Sequence, residues 1–434
     1  MRIILKFIFI FSAINIYGQT WECLTNINLN DFVYGINVYK GKLIITGGFY
    51  KNNNFSTNGI LEWNGSGIND FKNGLRRNKN NYHAQVGQSY SFKDTLYVIG
   101  DFDTAGSIPA KRIARWDGMN WSDMGKGPNG SLNCLVEYNN ELYAAGSFDS
   151  IDGISAHNIA RWDGKNWHSL GSGIIGNSVN CLYVYKNELY ASGAIDSVNG
   201  KVSLGIARWN GFKWNSVSSL IKAGNCMIEW DGNLLIGSQF NFNNTGLNQQ
   251  IMQWNGSSCA LFSEQEMPSI TDFKIYNKQL YCSGTGPTRT SNFSYVNIYN
   301  PITKHWDLIG EKLNRSVNVL YVLNDSLFAG GAFNKDDSAF CNFIAQLNAK
   351  NTSNHDIKNY STSVKFNSDK KEIIVSVFDT NLTISITDIQ GKLVYKKTLL
   401  QPTSIIEDFN YNGLFIWQIT AGSKTISAGK LMLY

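Results

Sequence analysis

The chain has 434 residues and a formal net charge of +5, with 43% hydrophobic and 13% aromatic residues. This near-neutral balance argues against general binding to nucleic acids or anionic membranes, because both require a dense basic surface. The hydrophobic content is ample for a core, and 40 Gly against 6 Pro is typical of many tight hairpins rather than of disorder.

The amino terminus is typical of an export signal. Arg2 and Lys6 precede an apolar run from Phe7 to Ile16, which is too short and too close to the terminus for a structural membrane span. We therefore predict a secretory signal peptide at residues 1–18. Its removal takes away Arg2 and Lys6 and lowers the formal charge from +5 to +3.

Most of the chain repeats one unit, seen most clearly between Val179 and Trp214. Short alternating apolar runs separated by turn residues predict four strands per unit, termed a to d, in an antiparallel meander. A Leu-Tyr-x-x-Gly element of strand b recurs in steps of 53, 46, 47, 45, 46 and 47 residues, at Leu43, Leu96, Leu142, Leu189, Leu234, Leu280 and Leu327. A strand c motif, Ile-Ala-Arg-Trp-Asp-Gly in its fullest form, gives the same count with two weaker copies. This fixed period predicts an all-β fold with a seven-bladed β-propeller of four-stranded blades over residues 19–350.

The first and last repeats complement each other. Trp21 stands in a strand d sequence with no strand a, b or c before it, whereas the seventh repeat ends after Ile344 without a strand d Trp. We predict that the strand at Trp21 completes the last blade and closes the ring, which removes open sheet edges.

Comparison between repeats separates structural from functional residues. Pairs such as Trp116 and Trp121 flank a four-residue turn in three repeats, which favours cross-strand packing over an aromatic carbohydrate platform. The Asp of the Trp-Asp-Gly turn, as in Asp117 and Asp163, is Asn in three other repeats. Asp and Asn interchange in Asx-turns, whereas a general acid cannot be Asn.

The cysteines and histidines give no catalytic or metal-binding pattern. Cys134, Cys181 and Cys226 occupy one strand a position in consecutive repeats, where sheet spacing exceeds the reach of a disulfide, so we expect buried free thiols. Cys23 and Cys341 meet in the closing repeat but align about four residues out of register. The sequence has no HExxH, GxSxG, P-loop or CxxC pair, and we predict no catalytic residue, metal site or cofactor.

Alternating strand directions place the a–b and c–d turns on one side of the sheets and the b–c and d–a loops on the other. The second side, called the long-loop face, carries the loops that vary between repeats, and such loops are where binding usually occurs. An insertion between Asp70 and Val86 carries basic and aromatic residues suited to an acidic sugar or a carboxylate. A solvated surface loop is the alternative. The candidate ligand-binding residues are Lys72, Arg76, Arg77, Lys79, Tyr82 and His83, with Arg289, Phe293 and Tyr295 of the sixth repeat as a second set.

The repeats resemble kelch-type and galactose-oxidase-like propellers, whose motif also has a glycine-ended strand followed by an aromatic residue, Asp and Trp. The resemblance covers about Trp21 to Lys350. No residue of this sequence can be matched to the copper ligands of galactose oxidase, so the resemblance implies the fold and not that activity.

After a polar linker at residues 351–363, the strand runs of residues 364–434 lack the repeat period and predict a separate small β-sandwich. This region resembles a type A C-terminal sorting domain of the type IX secretion system, through Asp388-Ile389-Gln390-Gly391-Lys392, Gly413-Leu414-Phe415 and Gly429-Lys430-Leu431. In place of the Pro-Asn-Pro that often opens that family, this chain has Phe366-Asn367-Ser368. The resemblance implies contact with the type IX machinery and a secreted or cell-surface location.

Two functions from different classes follow from the sequence. One is a binding or adhesion protein that recognises an extracellular glycan or protein through the long-loop face. The other is an extracellular carbohydrate-active enzyme whose residues are dispersed over several blades. The lack of repeated carboxylates and histidines favours the first and leaves enzymatic activity open.

Overall fold

The computed structural model describes residues 19–24, 26–53, 55–77, 83–217, 224–238, 251–263, 265, 267, 269–284, 295–301, 303–309, 313, 315–334, 341–349, 363–367, 372–376, 382–399, 403–406, 413–421 and 424–433. The protein is all-β: every regular element in these residues is a strand. No helix among them is long and apolar enough to span a membrane. The predicted signal peptide, and all of the predicted linker except Ser363, lie outside the described residues.

The strands are numbered in chain order. Those up to the start of the second repeat are β1 (Gln19–Cys23), β2 (Val33–Tyr39), β3 (Lys42–Gly47), β4 (Lys51–Asn52), β5 (Phe55–Ser56), β6 (Ile60–Trp63), β7 (Ile68–Asn69) and β8 (Leu75–Arg76). The second and third repeats contain β9 (Gln85–Phe92), β10 (Thr95–Asp101), β11 (Thr104–Ala105), β12 (Ile108–Pro109), β13 (Ile113–Trp116), β14 (Trp121–Asp123), β15 (Ser131–Tyr138), β16 (Glu141–Ser147), β17 (Ser150–Ile151), β18 (Ile154–Ser155), β19 (Ile159–Trp162) and β20 (Trp167–Ser169).

The later repeats follow the same plan. The fourth and fifth contain β21 (Ile174–Tyr185), β22 (Glu188–Val198), β23 (Lys201–Val202), β24 (Ile206–Trp209), β25 (Trp214–Ser216), β26 (Gly224–Trp230), β27 (Asn233–Ser238), β28 (Ile251–Trp254) and β29 (Cys259–Leu261). The sixth and seventh contain β30 (Ile270–Tyr276), β31 (Gln279–Gly284), β32 (Tyr295–Asn300), β33 (His305–Leu308), β34 (Val317–Leu323), β35 (Ser326–Gly331) and β36 (Ile344–Ala349). The remaining strands are β37 (Ser363–Asn367), β38 (Glu372–Ser376), β39 (Leu382–Asp388), β40 (Leu393–Leu399), β41 (Thr403–Ile406), β42 (Gly413–Ala421) and β43 (Lys424–Leu433).

Each predicted repeat forms an antiparallel meander of four strands. The strand orders are β2-β3-β6-β7, β9-β10-β13-β14, β15-β16-β19-β20, β21-β22-β24-β25 with β23 added beside β22, β26-β27-β28-β29, β30-β31-β32-β33 and β34-β35-β36-β1. Each of these sheets is open, with strand a at one edge. Strand a of each repeat contacts strand a of the next, and β34 of the seventh repeat contacts β2 of the first.

The turns within the repeats have the chemistry that the sequence predicts. All seven a–b turns are two residues long with positive φ at both positions, as in Asn139 (φ 50°) and Asn140 (φ 62°), the geometry of type I′ hairpins. In the c–d turns, one side-chain oxygen of Asp117, Asp163, Asn64, Asn210 or Asn255 accepts hydrogen bonds from two backbone N–H groups of its own turn. The Asx-turn interpretation is confirmed.

The tryptophan pairs pack across the c–d hairpins. Trp116 lies opposite Trp121 in the strand register, and their ring centroids are 5.3 Å apart; the equivalent pairs of the next two repeats are 5.2 and 5.5 Å apart. All six rings are buried. The Trp121 indole donates to the Phe71 carbonyl oxygen of the preceding repeat at 2.8 Å. The pairs therefore join neighbouring repeats, as predicted, and offer no open aromatic platform.

Strand β1 completes the sheet of the seventh repeat, as predicted, since it pairs with β36. Cys23 and Cys341 form a disulfide with Cα atoms 5.0 Å apart, so the register argument against a bond between them was wrong. Cys341 precedes β36, and Phe343 between them has a φ of 64°. Asn158 has the same conformation (φ 69°) before strand c of the third repeat, so this bend is shared between repeats. The register count failed because Cys341 lies before β36, outside the paired strand, where strand register does not fix which residues are close. Cys134, Cys181 and Cys226 are free thiols, as expected.

The residues after the repeats belong to a second compact unit. Its strands form two antiparallel sheets, with the orders β37-β38-β41 and β40-β39-β42-β43. The strand runs predicted for this region are present as strands, seven in the described residues. Ile384, Ile386 and Ile419 are fully buried, which gives β39 and β42 the alternation of a sheet with one covered face.

Candidate functional site

The long-loop face is held together by pairing between d–a and b–c loops. Strand β8 of the first d–a loop pairs with β11 of the next b–c loop, and Pro128 forms a bridge with Ile151 in the third repeat. Asn129 accepts hydrogen bonds from the backbone N–H groups of Asp149 and Ser150 at 3.0 and 3.1 Å. The two loop types therefore lie on the same side of the sheets, and several of them are fixed to one another.

The predicted insertion is anchored by apolar residues of its own. Phe71, Leu75 and Ala84 are buried, and Leu75 lies in β8. The carbonyl oxygen of Phe71 accepts the indole hydrogen bond of Trp121 described above. The described parts of the insertion, on either side of residues 78–82, are therefore packed onto the second repeat.

Both arginines of the insertion have partners inside the protein. Arg76 is exposed, and its Nη2 donates to the Gly106 carbonyl oxygen at 2.6 Å. Arg77 forms an ion pair with Asp101, and Arg112 lies 3.9 Å from the other oxygen of the same carboxylate. An arginine has five N–H donors, so these contacts use only part of each guanidinium. They nevertheless give both residues a structural role that the sequence did not predict.

Of the other predicted ligand-binding residues, three lie in the described part of the chain and four lie outside it. Lys72 donates to the Asn120 side-chain oxygen at 3.2 Å, and its ammonium lies 5.8 Å from the Trp116 ring centroid. His83 is exposed and stacks on Tyr50 with ring centroids 3.7 Å apart. Tyr295 begins β32. Lys79, Tyr82, Arg289 and Phe293 lie outside the described residues.

Every strand a contains a bulge that was not predicted from the sequence. In each a–b pair one residue of strand a falls out of register at an equivalent place. These bulged residues are Tyr34, Gly87, Asn133, Asn180, Asn225, Thr271 and Asn318. The recurrence of Asn at one strand position was the signal available in the sequence. Their side chains join repeats: Asn133 donates to the Val179 carbonyl oxygen at 3.0 Å, and Asn318 donates to that of Val33 at 2.9 Å.

Residues after the bulge satisfy edge N–H groups of the next strand a. The Gln88 side chain accepts from the Leu135 N–H at 2.7 Å, and Asp272 accepts from the Leu320 N–H at 2.9 Å. Strand a is an edge strand, so these N–H groups have no neighbouring strand to bond. Burial raises the pKa of the Asp272 carboxyl, against the opposing effect of Lys274 and of backbone hydrogen bonds. Asp272 is accordingly a structural acceptor in this arrangement.

The thiols near this part of the sheets are poor nucleophiles. Burial raises the pKa of Cys181 to about 12 and raises those of Cys134 and Cys226 well above the usual value. A thiol reacts as its thiolate, so burial disfavours the reactive form of these groups near neutral pH. Within the part of the chain that the structure describes, no three His, Cys, Asp or Glu residues are grouped so that they could hold a metal ion.

A cavity of about 330 Å³ opens at the a–b turns of the third and fourth repeats. It lies on the side opposite the long-loop face, where the sequence predicts only tight turns. Its walls are the side chains at the ends of three neighbouring strands a and their turns. The lining residues are Tyr90, Glu137, Tyr138, Asn139, Val184 and Asn187.

Comparisons with known proteins give no family for this chain. No protein-family model matches it, and no curated protein matches it. Among solved structures it is similar to PorZ, an essential bacterial surface component of the type IX secretion system of Porphyromonas gingivalis, at 13% identity with a TM-score of 0.46. That match covers 93% of this chain, which spans only 59% of the PorZ chain.

Two further solved structures are similar at the same level. The computationally designed Ika8 protein is 12% identical with a TM-score of 0.44, and the match covers 94% of this chain and 100% of the designed one. A chain of the mitotic checkpoint complex is 11% identical with a TM-score of 0.45, and the match covers 72% of this chain and 90% of that one. At these identities and TM-scores none of them identifies a family or a function.

Proposed function

We propose that this protein is a seven-bladed β-propeller followed by a small β-sandwich sorting domain. In this proposal the type IX secretion system exports the protein, which acts at the cell surface as a binding or adhesion protein. The propeller is supported by the cyclic relation between the repeats. Asn318 of the last repeat bonds to Val33 of the first in the same way that Asn133 bonds to Val179. The contact between β34 and β2 and the pairing of β1 with β36 are consistent with the same ring.

The binding role rests on how the two sides of the sheets differ. The a–b turns are uniform two-residue hairpins, whereas the d–a and b–c loops differ between repeats and are fixed by pairs such as β8 with β11. Variable loops on a rigid scaffold are a common way to build a binding surface. We propose that the long-loop face recognises an extracellular glycan or protein, with the insertion around Arg76 contributing to it. A glycan-processing enzyme is the alternative, and no described feature favours it.

The cellular location and the ligand are tested by separate experiments. A reporter carrying residues 364–434 behind a signal peptide should reach the surface of a host with the type IX system, whereas the chain lacking that segment should remain periplasmic. Surface export of the truncated chain would refute the sorting assignment, and it would leave the binding role untouched.

The binding face is tested with a glycan array combined with a polysaccharide hydrolysis screen. Any ligand found should bind more weakly to Arg76→Ala, and Lys165→Ala in a c–d turn on the opposite side is the matched control. Retained affinity in Arg76→Ala together with a loss in Lys165→Ala would show that the other side binds the ligand. Hydrolysis without stable binding would favour the enzyme.

A further inference from the structure

The a–b turns contain an internal ammonium site in three repeats. The first turn residue is a lysine whose Nζ lies over the aromatic ring that ends strand a: Lys40 over Tyr39 at 5.1 Å, Lys93 over Phe92 at 4.8 Å and Lys186 over Tyr185 at 4.8 Å from the ring centroid. A cation within about 6 Å of an aromatic centroid is attracted by the negative face of the ring. The fold thus places an ammonium group at one defined position of the hairpin.

The third repeat keeps the aromatic residue and lacks the cation. Strand β15 ends at Tyr138, and the first turn residue is Asn139. Asn139 has a φ of 50°, against 48°, 47° and 49° for the three lysines, so the backbone is the same and only the side chain differs. Tyr138 and Asn139 are two of the six residues that line the 330 Å³ cavity. The cavity therefore coincides with the place where three of the other repeats carry their own ammonium group, whereas Asp231, Asn277 and Asn324 occupy this position in the remaining three.

A carboxylate lines the same cavity. Glu137 is exposed, its backbone N–H is held by the Tyr90 hydroxyl at 3.2 Å, and among the described residues its side chain makes no ion pair. Three other glutamates near hairpins are paired, Glu62 with Lys42, Glu141 with Arg161 and Glu188 with Arg208, whereas Glu229, at the same strand position as Glu137, is in none of the ion pairs of the described residues. Glu137 thus adds an unneutralised negative charge to an aromatic cavity.

We propose that this cavity, whose lining includes Tyr138 and Glu137, binds an organic cation, an alkylammonium or guanidinium group. Tyr90 and Val184 supply apolar walls for the carbon chain that carries the charge, and Asn139 and Asn187 supply turn amides at the rim. Lys93 donates to the Asn140 carbonyl oxygen at 3.0 Å and repels the incoming charge in part. Binding of a single group is therefore expected to be weak, with Kd of about 1 mM. This site is independent of the ligand proposed for the long-loop face.

The test uses the whole secreted chain and NMR saturation transfer or calorimetry with defined probes. Nα-acetyl-lysine amide and Nα-acetyl-arginine amide are the cationic probes, and Nα-acetyl-norleucine amide is the neutral analogue of similar shape. We expect the cationic probes to bind, the neutral analogue to bind much more weakly, and the binding to weaken as salt is raised. The arginine and lysine arms distinguish a guanidinium ligand from an ammonium ligand.

Two pairs of variants locate the site. Asn139→Lys installs the lysine that three other repeats carry and should abolish binding of the cationic probes, whereas Asn277→Lys, at the same turn position of the sixth repeat, should leave it unchanged. Glu137→Gln should weaken binding about fivefold, whereas Glu229→Gln should not. Glu229 is the matched control because it occupies the same strand position and its N–H is held by Tyr183 in the same way at 3.0 Å.

Equal effects of the two variants in either pair would overturn the proposal, as would equal binding of the neutral analogue. Binding of N-acetylglucosamine with no binding of the cationic probes would also overturn it and would assign the cavity to a neutral sugar. Thermal unfolding of each variant is measured alongside, and loss of binding in Asn139→Lys counts in favour only if its melting temperature matches that of Asn277→Lys.

Discussion

Replacing both Cys23 and Cys341 with Ser should lower the melting temperature of the repeat unit by several degrees. The bond joins positions 318 residues apart, so it links the first strand of the unit to the start of its last strand. The chain-entropy expression gives about 6 kcal/mol as an upper estimate for a loop of this length, and native disulfides typically contribute about 2 to 4 kcal/mol. An unfolding entropy of about 2.1 cal/mol/K per residue over roughly 330 residues converts 2 to 4 kcal/mol into about 3 to 6 °C.

Differential scanning calorimetry of the oxidised protein, with and without a reducing agent, measures this effect. The reduced parent protein and the double serine variant should unfold at the same lowered temperature. The melting temperature of the double serine variant should not change when the reducing agent is added. That result would show that the five remaining cysteines do not contribute to the stability through disulfides. Deletion of residues 20–24 should lower the melting temperature further, because strand β1 and the buried Trp21 ring are then lost together with the bond.

An unchanged melting temperature in the double variant would refute the reasoning. It would mean that the rest of the β1 pairing closes the sheet with the same stability, or that the first event in unfolding occurs elsewhere. A lowered temperature in the double variant but not in the deletion would be inconsistent with β1 being part of the seventh sheet.

Three other substitutions test particular contacts. Trp121→Phe should cost about 0.5 to 1.5 kcal/mol in urea unfolding because it removes the indole hydrogen bond to the Phe71 carbonyl oxygen. That oxygen keeps its other hydrogen bond, from the Gly74 N–H at 3.1 Å. Trp214→Phe should cost less, since the Trp214 indole N–H has no partner among the described residues, and equal costs would contradict a contribution from the Trp121 hydrogen bond. Hydrogen bonds from Asn166, His168 and Lys165 lower the pKa of Asp163 below its usual 3.8. The stability that Asp163 contributes is therefore present above pH 3.8 and is lost as the pH falls towards the lowered pKa. The stability of Asp163→Asn should depend less on pH below pH 4 than that of the parent, and parallel acid unfolding curves would contradict this. Arg77→Ala should destabilise the protein by at most about 1 kcal/mol, because Arg77 and Asp101 are both partly exposed. A loss of several kcal/mol would mean that the insertion contributes substantially to the stability of the fold.

Local patterns were sufficient to predict the repeating unit. Type I′ turns, Asx-turns and cross-strand tryptophan pairs each depend on residues close together in sequence, such as Trp116 and Trp121, so their chemistry is legible without the tertiary structure. The closing strand was also predictable, because a strand d sequence at Trp21 and its absence after Ile344 are complementary defects. For the closing strand, the repeat period supplies the long-range information, because it shows which repeat lacks a strand d.

Features that depend on how repeats meet were not predictable in the same way. Cys23 and Cys341 bond although they are out of strand register, because Cys341 lies before β36 and outside the paired strand, where a register count does not apply. Arg76 and Arg77 look like free charges in the sequence, yet both acceptors, Gly106 and Asp101, belong to the next repeat. A predicted surface charge can thus become a structural contact once two loops are paired.

The sequence by itself determined the all-β class, the number and strand content of the repeats, and the turn chemistry, because hydrophobic alternation and turn residues are local and recur at a fixed period. Only the tertiary structure decided which edge groups of each strand a are satisfied by the next repeat and where a cavity remains. The sequence shows that Asn139 stands where three other repeats have a turn lysine. Its consequence is visible only when Tyr138, Glu137 and Val184 of neighbouring strands are brought around the same space, since a cavity depends on the packing of residues that are distant in the chain.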